Sequence, residues 1–151
     1  MSLSLKDREW KEFILEKLFT IKSTSSSIDR NKLNGKKGVF PYITRTERNN
    51  GLDRFIGIQD DIFKIDKSNV ITIGLDTQTI FYQPHPFYTG QNIQILKSEH
   101  LNKDVAYFIM PLIKIQMQKF NWGGNGATLT RLKRQKILLP ITTEGEPDYS
   151  F

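Results

Sequence analysis

The sequence contains no cysteine and only two histidines, His85 and His100, among its 151 residues. Without cysteine the chain can form neither a disulfide frame nor a thiolate metal site, and two histidines are too few for a typical zinc site. Long apolar runs are also missing, since none approaches the roughly 20 residues that span a bilayer. Residues 1–8 lack the apolar stretch of a signal peptide. These absences predict a cytoplasmic protein that holds no metal.

Acidic residues are absent from residues 105–143, where six basic residues occur. The chain has 22 basic and 16 acidic residues in all, so the other 16 basic residues balance the acidic ones. The net charge of +6 therefore comes from this one segment. A field of one sign attracts polyanions and speeds their association, which favours a nucleic-acid partner. The alternative is a solvated helix face whose counter-charges fold over from elsewhere in the chain.

The length and composition are typical of one compact domain, residues 1–151. Short apolar segments rich in β-branched and aromatic residues follow one another through the middle of the chain, and turn signals such as Asn49-Asn50-Gly51 separate them. The polar tract 23–27 is expected to be a flexible loop. The apolar segments predict strands, mostly connected by hairpins, at residues 39–44, 55–58, 70–74, 79–83 and 92–96.

The two ends of the chain have helical patterns instead. Residues 9–21 combine a helical stripe with a following extended piece, which predicts a short N-terminal helix. Apolar residues recur every three or four positions over residues 101–120 and predict an amphipathic helix. Pro111 lies near the middle of that helix and is expected to kink it or to split it in two.

A short basic helix is expected at residues 129–135, capped by Thr128 or Thr130, before a last strand at residues 137–139. Together these patterns predict the α+β fold class. The expected fold is a twisted, mainly antiparallel sheet of short strands, with a short N-terminal helix and an amphipathic helix near the C-terminus.

No constellation of residues matches a catalytic site. The Gly-rich stretch 123–126 lacks the Gly-Lys-Ser/Thr ending of a P-loop, and a tight turn between two helices explains it equally well. Asp60 and Asp61 are candidates for a nuclease, yet neighbours on a strand face opposite sides and no acidic partner stands at a suitable spacing. No Asn- or Asp-Pro-Pro-aromatic methyltransferase motif occurs. We predict no catalytic residue, no cofactor and no metal site, with an undetected nuclease as the enzyme alternative.

Three polar stretches, at residues 44–50, 76–79 and 88–92, carry side chains that suit DNA. Arg donates two hydrogen bonds to guanine, Asn and Gln pair with adenine, and Thr contacts a phosphate or a thymine methyl group. Ordinary polar hairpins are the alternative. The residues predicted to read bases are Thr44, Arg45, Thr46, Asn49, Asn50, Gln78, Tyr88 and Gln91. The residues predicted to contact phosphates are Arg48, Lys119, Asn125, Arg131, Lys133 and Arg134.

Several short motifs, each weakly specific, follow one another over nearly the whole chain. They are Trp10 to Phe13, Leu18-Phe19-Thr20-Ile21, Pro41-Tyr42-Ile43-Thr44-Arg45-Thr46, Ile71-Thr72-Ile73-Gly74, Phe81-Tyr82-Gln83, Phe87-Tyr88-Thr89-Gly90-Gln91-Asn92-Ile93, Phe120 to Gly126, Lys136-Ile137-Leu138-Leu139-Pro140-Ile141 and Gly145-Glu146-Pro147-Asp148-Tyr149. In this order they resemble the target-recognition domains of type I restriction–modification specificity subunits and of related single-chain enzymes.

The resemblance implies sequence-specific binding of double-stranded DNA by loops that enter the major groove. It implies that the domain reads one half of a bipartite target site. Methylation and cleavage would then be performed by DNA methyltransferase and restriction subunits, which dock through a long helical region. The chain departs from the family here, because it has no heptad stretch. Residues 141–151 resemble the lead-in to that region, and residues 1–8 are expected to be a flexible start, partly tag. We expect one recognition half, natural or trimmed; the alternative is an orphan protein-interaction fragment without useful DNA affinity.

Overall fold

The computed structural model describes residues 2–119 and 128–151 of the chain. Short strands dominate these residues and are joined by three helices, α1 (Leu15–Leu18), α2 (Lys103–Met117) and α3 (Leu129–Arg134). Short 3-10 turns occur at Leu5–Asp7, Arg30–Lys32 and Asn49–Gly51. The strands are β1 (Trp10–Ile14), β2 (Thr20–Ser23), β3 (Phe40–Ile43), β4 (Leu52–Ile56), β5 (Val70–Gly74), β6 (Thr79–Gln83), β7 (Tyr88–Thr89), β8 (Ile93–Lys97) and β9 (Lys136–Pro140).

Antiparallel pairing dominates the sheets. The central sheet has the order β2-β8-β5-β6, and all of its neighbouring strands are antiparallel. A second sheet has the order β4-β3-β7, in which β3 and β7 are parallel, and β1 pairs with β9. The α+β class is therefore confirmed, but the prediction of one sheet is wrong. Pro84 and Pro86 lack the N–H group that a sheet ladder needs, so the chain leaves the central sheet after β6 and continues in the second.

The main core lies between the central sheet and α2. Strand β5 has a neighbour on each edge, and all of its residues are buried. Helix α2 contributes Ile109, Ile113 and Met117 to this core, and Leu132 of α3 belongs to the same cluster. A smaller cluster around Phe87 joins the second sheet to the central one. None of the described helices is long and apolar enough to cross a membrane.

The short N-terminal helix predicted within residues 9–21 is mostly wrong, whereas the extended piece predicted to follow it is confirmed as strand β2. In place of the helix, the structure has strand β1 and the single helical turn α1. Strand β1 pairs with β9 in a register that sets Trp10 opposite Pro140 and Ile14 opposite Lys136. A partner from the far end of the chain therefore decides the local conformation here, and local periodicity contains no information about that partner.

Helix α2 begins and ends within three residues of its predicted bounds. The side chain of Asn102 caps it by accepting a hydrogen bond from a backbone N–H in the first turn, at 2.9 Å. Pro111 lies inside the helix on its exposed side, where water can satisfy the carbonyl group that lacks a partner. Of the two threonines predicted to cap α3, the structure selects Thr128, whose hydroxyl accepts from Arg131 N at 3.1 Å.

The polar tract at residues 23–27 leaves regular secondary structure after β2, as expected of a loop, but part of it is buried. Ser26 is only 4% exposed, and its hydroxyl donates to Oδ2 of the buried Asp66 at 2.7 Å. The hydroxyl oxygen of Ser26 also accepts from the backbone N–H of Thr89 at 2.8 Å, and the hydroxyl groups of Thr24 and Thr89 are 2.6 Å apart. A row of serines indicates a loop but not its bonding partners, so the sequence did not reveal this buried network.

Tyr42 provides a test of the second sheet's packing. Its ring is buried, and its hydroxyl donates to the carbonyl of Ile28 at 2.6 Å. Tyr42→Phe should lower the free energy of unfolding by about 1 kcal/mol at neutral pH, because the buried carbonyl loses its donor. Urea denaturation measures this loss.

The same variant should also change the alkaline limit of stability. Burial raises the pKa of Tyr42 above its ordinary value of 10.0. The unfolded chain therefore releases this proton first, so the stabilisation is complete below about pH 10 and is lost as the pH rises further. The wild-type protein should lose more stability between pH 8 and 11 than Tyr42→Phe does. Equal losses in the two proteins would contradict this explanation.

Candidate nucleic-acid interface

The three polar stretches meet at one end of the domain. Strands β3 and β7 run parallel, with Ile43 beside Thr89, so the residues that follow each strand emerge on the same side. Pairing of β5 with β8 sets Gly74 opposite Ile93, which brings the β5–β6 hairpin to that side as well. We call this exposed end the tip surface, formed by residues 44–50, 76–79 and 90–92.

Asp76 links the three parts of the tip surface. Nη1 of Arg45 lies 2.6 Å from Oδ2 of Asp76, and Nδ2 of Asn92 lies 3.4 Å from the same oxygen. Asp76 and Asn92 are not among the residues predicted to contact DNA. Their only signal in the sequence is that both lie in polar stretches beside turns.

Positive φ angles cluster on the tip surface. Six non-glycine residues in the described part of the chain have positive φ, and four of them are Asn49, Asn50, Gln78 and Asn92. Asn adopts this left-handed region readily, whereas Gln78 does so at a higher steric cost. Nε2 of Gln78 donates to the carbonyl of Met117 at the end of α2, at 3.0 Å, and this bond holds the hairpin. Backbone strain that the surrounding structure maintains in this way is typical of functional sites.

Several of the side chains predicted to read bases form hydrogen bonds within the domain. Nδ2 of Asn50 donates to the carbonyl of Tyr82 at 2.9 Å, and the amide nitrogen of Gln78 is bonded to α2. Each of these bonds uses one of the two N–H donors of its amide, so both side chains are partly committed within the domain. The hydroxyls of Thr44 and Thr46 each accept from a backbone N–H two residues later, so they shape the turn.

Tyr88 is wrong as a base reader. Only 1% of it is exposed, because it packs into a core cluster with Ile28, Tyr42 and Ile56. Its hydroxyl accepts from the backbone N–H of Gln59 at 3.0 Å, and its ring meets the ring of Phe40 edge to face. The sequence places Tyr88 beside a polar turn, but the folded domain buries it.

Five predicted contact residues on the tip surface are exposed, namely Arg45, Arg48, Asn49, Asn50 and Gln91. Arg45 is held by Asp76, while the side chains of Arg48, Asn49 and Gln91 make no hydrogen bond with the rest of the described chain. Their donors and acceptors are therefore available to an incoming duplex. Whether they read bases or contact phosphates stays a prediction.

The predicted phosphate contacts on α3 are presented by a helix anchored in the core. Leu132 is fully buried, whereas Arg131 and Arg134 are exposed and Lys133 is half-buried. Strand β9 runs from α3 back along α2 until Pro140 lies beside the first residues of that helix. Helix α3 packs against α1, and its Leu132 belongs to the same core cluster as Met117, at the end of α2 that contacts the tip surface.

Lys119 follows α2 at this same end, two residues beyond Met117. Within residues 2–119 and 128–151, no carboxylate forms an ion pair with Lys119, Lys133 or Arg134. Their charges are thus not neutralised by that part of the chain. Asn125, the remaining predicted phosphate contact, lies outside the described residues.

The described residues contain no group of three or more acidic or histidine side chains arranged to hold a metal ion. Asp60 and Asp61, the nuclease candidates, are both exposed. The Gly-rich stretch 123–126 lies outside the described residues.

These features define a class of protein: an α+β binding domain with an exposed polar tip surface beside a basic helix. Residues 7–151 also match a family model described as the type I restriction modification DNA specificity domain. The match covers almost the whole chain, so the chain belongs to this family. Its interpretation as a specificity component rather than an enzyme is thereby confirmed.

Individual relatives agree with this assignment. The chain is 32% identical over 152 aligned residues to the specificity subunit S.BcgI of the type II restriction enzyme BgcI from Heyndrickxia coagulans. That alignment covers 98% of this chain but 42% of the relative, so the chain spans less than half of it.

Two solved structures have a similar fold. The S subunit of a type I restriction–modification system from M. genitalium matches 94% of this chain with a TM-score of 0.67 and 15% identity. The HsdS subunit from Thermoanaerobacter tengcongensis matches 87% with a TM-score of 0.62 and 13% identity. This chain corresponds to 37% and 33% of their respective lengths.

Proposed function

We propose that this chain binds double-stranded DNA and reads a short base sequence through the tip surface. Three segments that are distant in sequence meet there through Asp76, and this convergence is the observation that carries the proposal. Within the segment that holds the whole excess of positive charge, residues 105–143, Met117 at the end of α2 contacts Gln78 of this surface. In this arrangement α3 and Lys119 contact phosphates and position the duplex, while the tip surface contacts base edges in the major groove.

This domain reads one half of a bipartite target site. The support is that the chain spans 42% of S.BcgI and about a third of the two solved subunits, which leaves room in such proteins for a second reader. Methylation and cleavage are performed by other subunits, and the methyltransferase and restriction partners dock through a long helical region. Such a role places the protein in the cytoplasm, together with its DNA.

A single reader makes about half of the contacts of a protein with two. Because half of the specific binding free energy is then missing, we expect a Kd on the order of micromolar, near the range of non-specific binding. Base contacts and phosphate contacts must therefore be distinguished by their different responses to base sequence and to salt.

Selection of bound sequences from a random duplex library tests the proposal. One short sequence should be enriched. Fluorescence anisotropy should show that the logarithm of the association constant for it falls by about 0.9 per phosphate contact for each tenfold rise in salt concentration. Absence of enrichment, or binding that ignores salt, would overturn the proposal in favour of a protein-interaction domain. Mg²⁺-dependent cleavage that Asp60→Ala or Asp61→Ala abolishes would identify a nuclease instead.

A further inference from the structure

The ion pair between Arg45 and Asp76 joins two loops at a place where it adds little to stability. The two side chains are 44% and 53% exposed, and surface ion pairs of this kind contribute little to the free energy of folding. Its effect is instead to orient the Arg45 side chain. At 2.6 Å the contact restricts a long, flexible arginine side chain to one direction on the tip surface.

The remaining hydrogen-bonding groups of the pair point to what it can bind. Asp76 uses Oδ2 for both Arg45 and Asn92, so its Oδ1 has no partner within the described residues. Arg45 uses Nη1 for Asp76, and the edge formed by its Nε and Nη2 is equally uncommitted. The pair therefore presents two neighbouring donors and, beside them, one acceptor.

Gly74 helps to hold this geometry. A Cβ atom at this position would lie 2.5 Å from Oγ1 of Thr79 and 3.5 Å from Cγ of Arg45. The first distance is closer than Cβ atoms come to other atoms, so a larger residue would force the threonine hydroxyl groups of the hairpin that carries Asp76 to shift. The aliphatic part of Arg45 thus lies close against the end of β5, which helps to fix the position of its guanidinium group.

We propose that Arg45 and Asp76 together read one G·C base pair in the major groove. Arg45 donates to O6 and N7 of guanine through its Nε–Nη2 edge, and Oδ1 of Asp76 accepts from N4 of the paired cytosine. In the major groove a G·C pair displays two acceptors on guanine and a donor on cytosine, which is the complement of this pair. This inference rests on the proposed function, and it adds the identity of one base pair and a role for Asp76.

Competition binding with systematically substituted duplexes tests the inference, using the full chain and the sequence selected from the library. The wild-type protein should prefer G·C at one position by about 5- to 150-fold. Arg45→Ala and Arg45→Lys should both lose this preference, since lysine keeps the charge but not the fork. Asp76→Asn should weaken the preference at the same position and at no other. A duplex with 7-deazaguanine at that position lacks the N7 acceptor. The wild-type protein should bind it more weakly than the unmodified duplex, whereas Arg45→Ala should bind the two duplexes equally.

Asp148→Asn is the matched control. Nε of Arg8 lies 2.8 Å from Oδ2 of Asp148, an ion pair of the same chemistry beside the first residues of α2, at the other end of the domain. This variant should keep every base preference of the wild-type protein. If the wild-type protein binds one sequence specifically while Arg45→Ala and Asp76→Asn keep all of its preferences, the inference is wrong and the proposed function stands. If the wild-type protein prefers no sequence, both are wrong.

Discussion

Replacing Asp66 with alanine is expected to lower the free energy of unfolding by about 3 kcal/mol. Asp66 is 2% exposed and accepts three hydrogen bonds, from the backbone N–H groups of Ser25 and Ser26 and from the hydroxyl of Ser26, at 2.6, 3.2 and 2.7 Å. Its removal leaves the donors of buried Ser26 without their acceptor, and each such loss costs about 1–3 kcal/mol. Urea denaturation followed by far-ultraviolet circular dichroism measures the change.

Asp61→Ala is the control for this prediction. Asp61 is exposed, and its carboxylate makes no hydrogen bond to the rest of the described chain, so the change should stay within about 0.5 kcal/mol. A loss from Asp66→Ala below about 1 kcal/mol, or one no larger than the loss from Asp61→Ala, would show that the buried network contributes little.

The Asp66 network also supports the tip surface. The hydroxyl of Ser26 bonds both to Asp66 and to the backbone of Thr89, the residue immediately before residues 90–92. Thr89 in turn accepts at its carbonyl from the N–H of Ile28, at 2.7 Å. A buried polar network with all of its members bonded makes its surroundings rigid. The loop that carries Gln91 and Asn92 is therefore fixed from beneath by residues that never reach DNA.

Removing three phosphate contacts together is expected to produce the largest loss of binding. The triple variant Lys119→Ala, Lys133→Ala, Arg134→Ala should reduce the steepness of the salt dependence by about three units, because each contact releases about 0.9 counterion. At about 0.1 M salt this corresponds to a loss of affinity on the order of 10²–10³-fold for every duplex, whatever its sequence. Fluorescence anisotropy over a salt series, with cognate and scrambled duplexes, measures both quantities.

A second triple variant separates local contacts from the loss of net charge. Lys6, Lys97 and Lys103 are exposed and lie around the first residues of α2, at the other end of the domain. With its 15 residues α2 is about 22 Å long, roughly twice the Debye length at 0.1 M salt, so their charges are largely screened from Lys119 and the tip surface. Replacing these three lysines with alanine should change the salt dependence by less than one unit. Equal effects of the two triple variants would contradict the position assigned to the phosphate contacts.

The elements that the sequence predicted well are those whose information is local. Strands β5 and β6 have their predicted bounds, because each is a continuous apolar segment between turn residues. Helix α2 is similar, since its apolar stripe and its cap at Asn102 lie within one stretch of chain. Strands β1 and β7 were not predicted, because each is stabilised by a partner strand distant in the sequence. Trp10 of β1 lies opposite Pro140, and Tyr88 of β7 lies beside Tyr42.

The candidate site divides in the same way. The polar composition of the three stretches and the basic segment could be read from residue types alone, because a side chain's donors, acceptors and charge do not depend on the fold. Whether those groups remain available does depend on it. Asn50 and Gln78 bond to distant backbone carbonyls, and Tyr88 is buried, whereas Arg45 is held outward by Asp76.

By itself, then, the sequence determined the absence of cysteine chemistry, the single basic segment, the α+β class and, through its ordered motifs, the family. Only the tertiary structure decided that the three polar stretches form one surface and that Asp76 lies at its centre. The physical reason is that hydrophobic periodicity depends on residues a few positions apart. Hydrogen bonds and ion pairs at the tip surface instead join residues that only strand pairing across the whole chain brings together.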